Sequence, residues 1–98
     1  MATFISTVQF TRQGMKDIQA TCQRAASFQA AAANLGVEVQ NIFWTLGPFD
    51  GVIVFDAPDD ETATALMLQL GSFGNVTTQT ARAYQAAEME SILAKMSR

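Results

Sequence analysis

The chain has 98 residues, 49% of them hydrophobic and 15% charged, which allows one small domain with a single core and excludes a disordered segment. Its net charge of −3, with six bases scattered from Arg12 to Arg98, offers no clustered cationic surface for nucleic acid or an anionic membrane. Histidine is absent and Cys22 is the lone cysteine, which excludes an intrachain disulfide and removes the usual haem ligand, zinc ligand and neutral-pH base, so no cofactor is expected.

Thr3 to Phe10 is rich in β-branched and aromatic residues and reads as a strand, with Phe4, Val8 and Phe10 on one face and Ile5 on the other. From Gln13 to Leu35 the period changes. Met15, Ile18, Cys22, Ala25, Phe28, Ala32 and Leu35 recur at steps of three and four, the stripe of one long amphipathic helix in which Cys22 is a buried structural thiol. Gly36 follows as its left-handed cap.

Val37 to Leu46 alternates as a strand, with Val39, Asn41, Phe43 and Thr45 on one face and Gln40, Ile42, Trp44 and Leu46 on the other. Gly51 to Asp56 is its hairpin partner. Between them, Gly47, Pro48, Phe49, Asp50 and Gly51 form a turn, with Asp50 holding nearby backbone N–H groups. The loop lacks the spacing of a phosphate-binding glycine fingerprint and precedes a strand instead of a helix.

Pro58, Asp59, Asp60 and Glu61 open the next helix, where acids oppose the positive end of the helix dipole. With Asp56 they resemble a hard-cation cluster, but they lack a calcium-loop spacing, and no metal is expected. Ala63, Leu66, Met67, Leu70 and Phe73 are that helix's buried stripe, and Gly71 to Asn75 ends it. Val76 to Tyr84 reads as a Thr-rich strand. A last helix, about residues 86 to 97, carries Met89, Ile92, Leu93 and Met96 on one face.

The order βαββαβ with an added helix predicts a single α+β domain over residues 1–98, ferredoxin-like, with the core in about 3–84. Its four-stranded antiparallel sheet has two helices on one face, so the second face is left bare and partly apolar. Such a face marks an interface, and a homodimer or higher oligomer packed sheet against sheet is expected, with the last helix covering an edge or reaching a neighbour. The amino-terminal stretch lacks a secretory pattern, and no apolar run approaches the ~20 residues of a membrane span, so a cytoplasmic location is expected.

Three stretches, "MATFIS", "FWTLGPFDGVIVFDAPDDETA" and "LGSFGNVTTQTARAY", resemble the GYD-domain family of small bacterial proteins, and the resemblance spans nearly the whole chain. The motif falls on Gly47, Phe49 and Asp50 with Pro48 intervening, and Phe49 stands where the family has tyrosine. The resemblance implies a ferredoxin-like, dimeric α/β-barrel type of structure and no established activity.

Arg82, Tyr84 and Trp44 are the candidate ligand-binding residues, because a guanidinium between aromatic walls suits a small anionic or aromatic molecule. Alternation puts Thr78, Thr80, Arg82 and Tyr84 on one side of their strand, whereas Trp44 and Asn41 point to opposite faces of theirs. The competing and favoured reading makes Trp44 core, pairs Arg82 with an acid and puts Tyr84 at an interface. Two functions follow. The leading one is a homo-oligomeric small-ligand-binding or assembly module without catalysis; the other is a cofactor-independent oxygenase or isomerase-like enzyme that orients its substrate with Trp44, Arg82 and Tyr84.

Overall fold

The computed structural model describes residues 1–96. Strand β1 (Ala2–Phe10) buries Phe4, Ser6 and Val8 and exposes Ile5, so its alternation selects one core face. Strands β2 (Glu38–Trp44), β3 (Gly51–Ala57) and β4 (Val76–Ala83) complete an antiparallel sheet in the order β2-β3-β1-β4. Helices α2 (Thr21–Asn34) and α3 (Asp60–Ser72) contribute Phe28, Ala32, Ala63 and Leu66 to the same core as Phe4, Ile53 and Phe55. This is the ferredoxin-like α+β fold that the element order predicts. Ser6, the one buried polar side chain among the described residues, accepts a hydrogen bond from the Thr80 hydroxyl at 3.0 Å.

The long helix expected over Gln13–Leu35 is broken into three pieces. Helix α1 (Arg12–Lys16) is followed by a 3-10 turn, Ile18–Ala20, and only then by α2. The cause lies in a distant part of the chain. Gly14 is pressed so closely on the loop after α3 that a Cβ there would sit 2.0 Å from the Asn75 carbonyl oxygen. Thr11 fixes the contact, its N–H donating to Asn75 O at 3.0 Å and its hydroxyl to Gly74 O at 2.6 Å. Arg24 then donates to the Gly14 and Asp17 carbonyls on either side of the break, the latter also accepting the Ala20 N–H at 3.1 Å. The rotation introduced by the break leaves Met15 exposed and corrects the reading of Cys22, which is an exposed free thiol instead of a buried one.

Strand β2 is also corrected. Its register shifts between Val39 and Asn41, a bulge that interrupts strict alternation. Val39, Ile42 and Trp44 pair with Phe55, Ile53 and Gly51 on the helix side, while Asn41 and Phe43 pair with Val54 and Val52 on the open side. The Gln40 amide donates to the Asp56 carboxylate at 2.8 Å. Gly36 caps α2 with φ 75°, and Asp59 caps α3 by accepting the Thr62 N–H at 2.7 Å. The left-handed Gly36 and the acidic first turn of α3, Asp60 and Glu61, are as expected.

Helix α4 (Ala86–Ala94) has no buried residue. The helix ends at Ala94, short of the expected 97: Lys95 caps it and Met96 is already outside it, while residue 97 lies outside the described residues. The radius of gyration, 15.0 Å, exceeds the ~13 Å of a compact chain of about 100 residues, and the long axis is 54 Å. No helix of the described residues is long and apolar enough to cross a membrane.

Candidate functional site

The Gly47–Gly51 loop is built against the end of β1. Thr45 N–H donates to Asp50 O at 2.9 Å and the Thr45 hydroxyl to Phe49 O at 2.6 Å, closing the turn on itself. Gly47, at φ 126°, takes a conformation that side chains rarely adopt. Asp50 N–H donates to Val8 O at 2.8 Å, and the Asp50 carboxylate accepts the Phe10 N–H at 2.9 Å. The group held by Asp50 is therefore 40 residues away in sequence, where a neighbouring N–H was expected. The Gln9 amide adds a bond to Pro48 O at 2.8 Å.

Beside this loop a cleft of about 610 Å³ opens between α2, α3 and the helix side of the sheet. Phe28, Ile42, Trp44, Leu70, Phe73 and Val76 wall it, and Asp50 and Gly51 lie at its edge. At the rim, the Trp44 indole N–H donates to the Thr21 hydroxyl at 3.0 Å. Both ionic groups at the cleft are engaged: Asp50 holds Phe10, and Arg24 holds two carbonyls and stands 3.9 Å from the Asp17 carboxylate. The cleft is therefore suited to receiving apolar groups.

Arg82 and Tyr84 sit elsewhere. The Arg82 guanidinium lies 4.5 Å from the centre of the Tyr84 ring and 5.8 Å from that of Phe4. It pairs with the Glu88 carboxylate at 3.2 Å and donates to the Thr3 and Ala83 carbonyls. Glu88 also accepts the Gln85 N–H at 3.1 Å, and that bond first, then Arg82, holds its carboxyl below the usual range. Arg82 thus ties the end of β4 to the start of α4. A second hollow of about 460 Å³ beside it is lined by Thr78, Thr80, Arg82, Asp60 and Thr64 together with apolar residues of α3.

Trp44 does not join Arg82 and Tyr84. Trp44 is on the β2 edge opposite Gly51, and the paired rows run through Val8 to Thr78. Arg82 is on the β4 edge, four residues further along. Three strand spacings across and four residues along correspond to about 14 Å and about 13 Å. The cleft residues Phe28, Leu70 and Phe73 read in the sequence only as core stripes. Phe73, a large aromatic between two glycines at a helix end, is the one whose setting marked it out.

The GYD domain family matches residues 4–93. A protein of Thermus thermophilus with the name "Glutamine synthetase and cystathionine beta-lyase binding protein" is 33% identical over 90 residues, covering 91% of this chain and 95% of its own. Among solved structures, MtbAldR superposes with a TM-score of 0.66 at 12% identity, over 86% of this chain and 52% of that longer one. TTHA0845 from Thermus thermophilus superposes with a TM-score of 0.57 at 23% identity, over 88% and 96%. At these identities the two structures speak to the fold alone.

Proposed function

This chain belongs to the GYD domain family, and from that premise we propose that it is a homo-oligomeric binding and assembly module that performs no chemistry of its own. The observation that carries the reading is the bare side of the sheet. Ile5 is opposite Val54 and Val52 opposite Phe43, so the register places four apolar side chains together on the face that no helix covers. Ile5 is 40% and Phe43 53% exposed. Around them stand Thr3 and Gln40, both bonded to Asp56, giving the apolar centre and polar rim of a protein interface.

A relative matched nearly end to end bears a name that describes binding to two enzymes, which supports protein partners for this chain as well. The cleft, within the ~300–1,000 Å³ range of ligand pockets, supports the capture of an apolar group. The enzyme alternative asks Trp44, Arg82 and Tyr84 to surround one substrate, and their positions at opposite edges of the sheet weigh against it.

Isothermal titration of the purified chain with glutamine synthetase, and separately with cystathionine β-lyase, of its own source tests the partner class. Saturable binding of either at a fixed stoichiometry is the expected result. No heat with either, from a chain that is also monomeric, overturns the reading.

A further inference from the structure

Helix α4 and the apolar cleft are complementary, and within one chain neither satisfies the other. Met89, Ile92 and Leu93 lie on one side of α4 at helical spacing, and Met96 follows two residues beyond its end. Met89 is 44%, Leu93 50% and Met96 64% exposed, and the helix buries no residue at all. The cleft presents Phe28, Leu70, Phe73 and Val76 as an apolar wall.

The chain's own helix is not seated in the cleft. The cleft is built on the sheet end that holds Val8, Gly51, Trp44 and Val76, whereas α4 departs beyond Ala83, which pairs with Thr3 at the other end. The seven residue steps from Val76 to Ala83 span about 23 Å. No residue of α4 lines the cleft. The hollow beside the start of α4 mixes Arg82, Asp60 and three threonines with Phe4, Ala63, Met67 and Leu68, and no residue of α4 lines it either.

We propose that α4 of one copy seats its Met89, Ile92 and Leu93 face, with Met96 just beyond it, in the cleft of a second copy, so that each cleft is completed by the partner's helix. Arg82 sets the departure of the arm, because its pair with Glu88 and its bonds to the Thr3 and Ala83 carbonyls fix α4 at the sheet end. The contact is distinct from the sheet-face contact and uses the opposite side of the domain. A reciprocal exchange closes as a two-fold pair, and with both contacts made the chain assembles beyond a dimer. The inference rests on the reading of the chain as a self-assembling module.

Cys22 makes the test direct, since it is exposed and lies between the cleft residues Thr21 and Gln23. Glu90→Cys and Lys95→Cys, made singly in the full chain, place a second thiol on either flank of the α4 stripe. Mild oxidation is expected to give an interchain disulfide between Cys22 and at least one of the new thiols, identified by peptide mass in a species of twice the chain mass. Leu93→Asp added to that variant is expected to abolish the bond while the circular dichroism stays unchanged, because α4 buries nothing within its own chain. Trp44, the single tryptophan and a wall of the cleft, is expected to shift its emission to the red in Leu93→Asp.

Ile5→Lys separates this inference from the reading beneath it. If that variant loses the sheet contact yet still forms the interchain bond, the α4 contact stands independently. An intrachain disulfide, no disulfide at either position, or a small molecule retained by the chain in place of the arm overturns the inference.

Discussion

Gly14 is where one missing atom decides the path of the chain. A Cβ would lie 2.0 Å from a backbone oxygen of Asn75, and backbone is not free to give way. Gly14→Ala is therefore expected to cost about 2 kcal/mol or more, a fall of roughly 10 °C in the melting temperature, read by thermal or urea unfolding. Asp50 acts by a charge-assisted bond to the half-buried end of β1. Asp50→Ala leaves the Phe10 N–H without its partner and is expected to cost about 1–3 kcal/mol, with Asp50→Asn recovering much of the loss because the acceptor remains. Phe49 contributes its carbonyl to the turn, a main-chain bond that does not depend on the ring. Phe49→Tyr, which restores the family motif, is expected to change stability by no more than about 0.5 kcal/mol and to leave the subunit count in native mass spectrometry unaltered.

Among the elements, α4 is the one held by charge instead of burial. Its first turn depends on Glu88, which accepts the Gln85 N–H and pairs with Arg82, and both partners lower its carboxyl pKa. Asp59 at the start of α3 is lowered too, first by the Thr62 side chain and then by the Thr62 N–H. A carboxyl with a depressed folded pKa stabilises above its unfolded value, and that contribution is lost as pH falls through the folded one. The window thus lies below about pH 4.3. Far-UV circular dichroism taken from pH 7 to pH 3 is expected to show helix signal fading below that point, and Glu88→Gln is expected to move part of the loss to neutral pH.

The same elements show what the sequence discloses and what it conceals. Pro58 to Glu61 announced the α3 cap because capping is local: donor and acceptor are three residues apart. The break after Lys16 was not legible, since its cause is the carbonyl of Asn75 and the three-and-four spacing of apolar residues runs straight through it. The β2 bulge was hidden for a related reason. One residue of slippage leaves composition unchanged while it moves Val39 to the side of Ile42 and Trp44. The cleft was illegible because Phe28, Leu70 and Phe73 carry the same periodic signal whether two helices close on one another or stand apart.

At the scale of the whole molecule, the chain has two apolar surfaces that it does not cover itself, one on each side of the sheet. The open face centres on Ile5, Val54, Val52 and Phe43, and the cleft lies beneath α2 and α3. In the proposed assembly, association covers this apolar surface and stabilises the 98-residue domain. The extended shape, 54 × 31 × 19 Å with an unburied terminal helix, fits the proposed assembly module.

Native mass spectrometry of the intact chain beside Ile5→Lys tests that claim most directly, at micromolar concentration and with circular dichroism confirming that both are folded. A dimer or larger multiple for the natural chain, with the charged variant reduced to a smaller multiple or to monomer, is the result expected from a self-assembling sheet face. A natural chain that remains monomeric, or an Ile5→Lys variant with an unchanged subunit count, would contradict it.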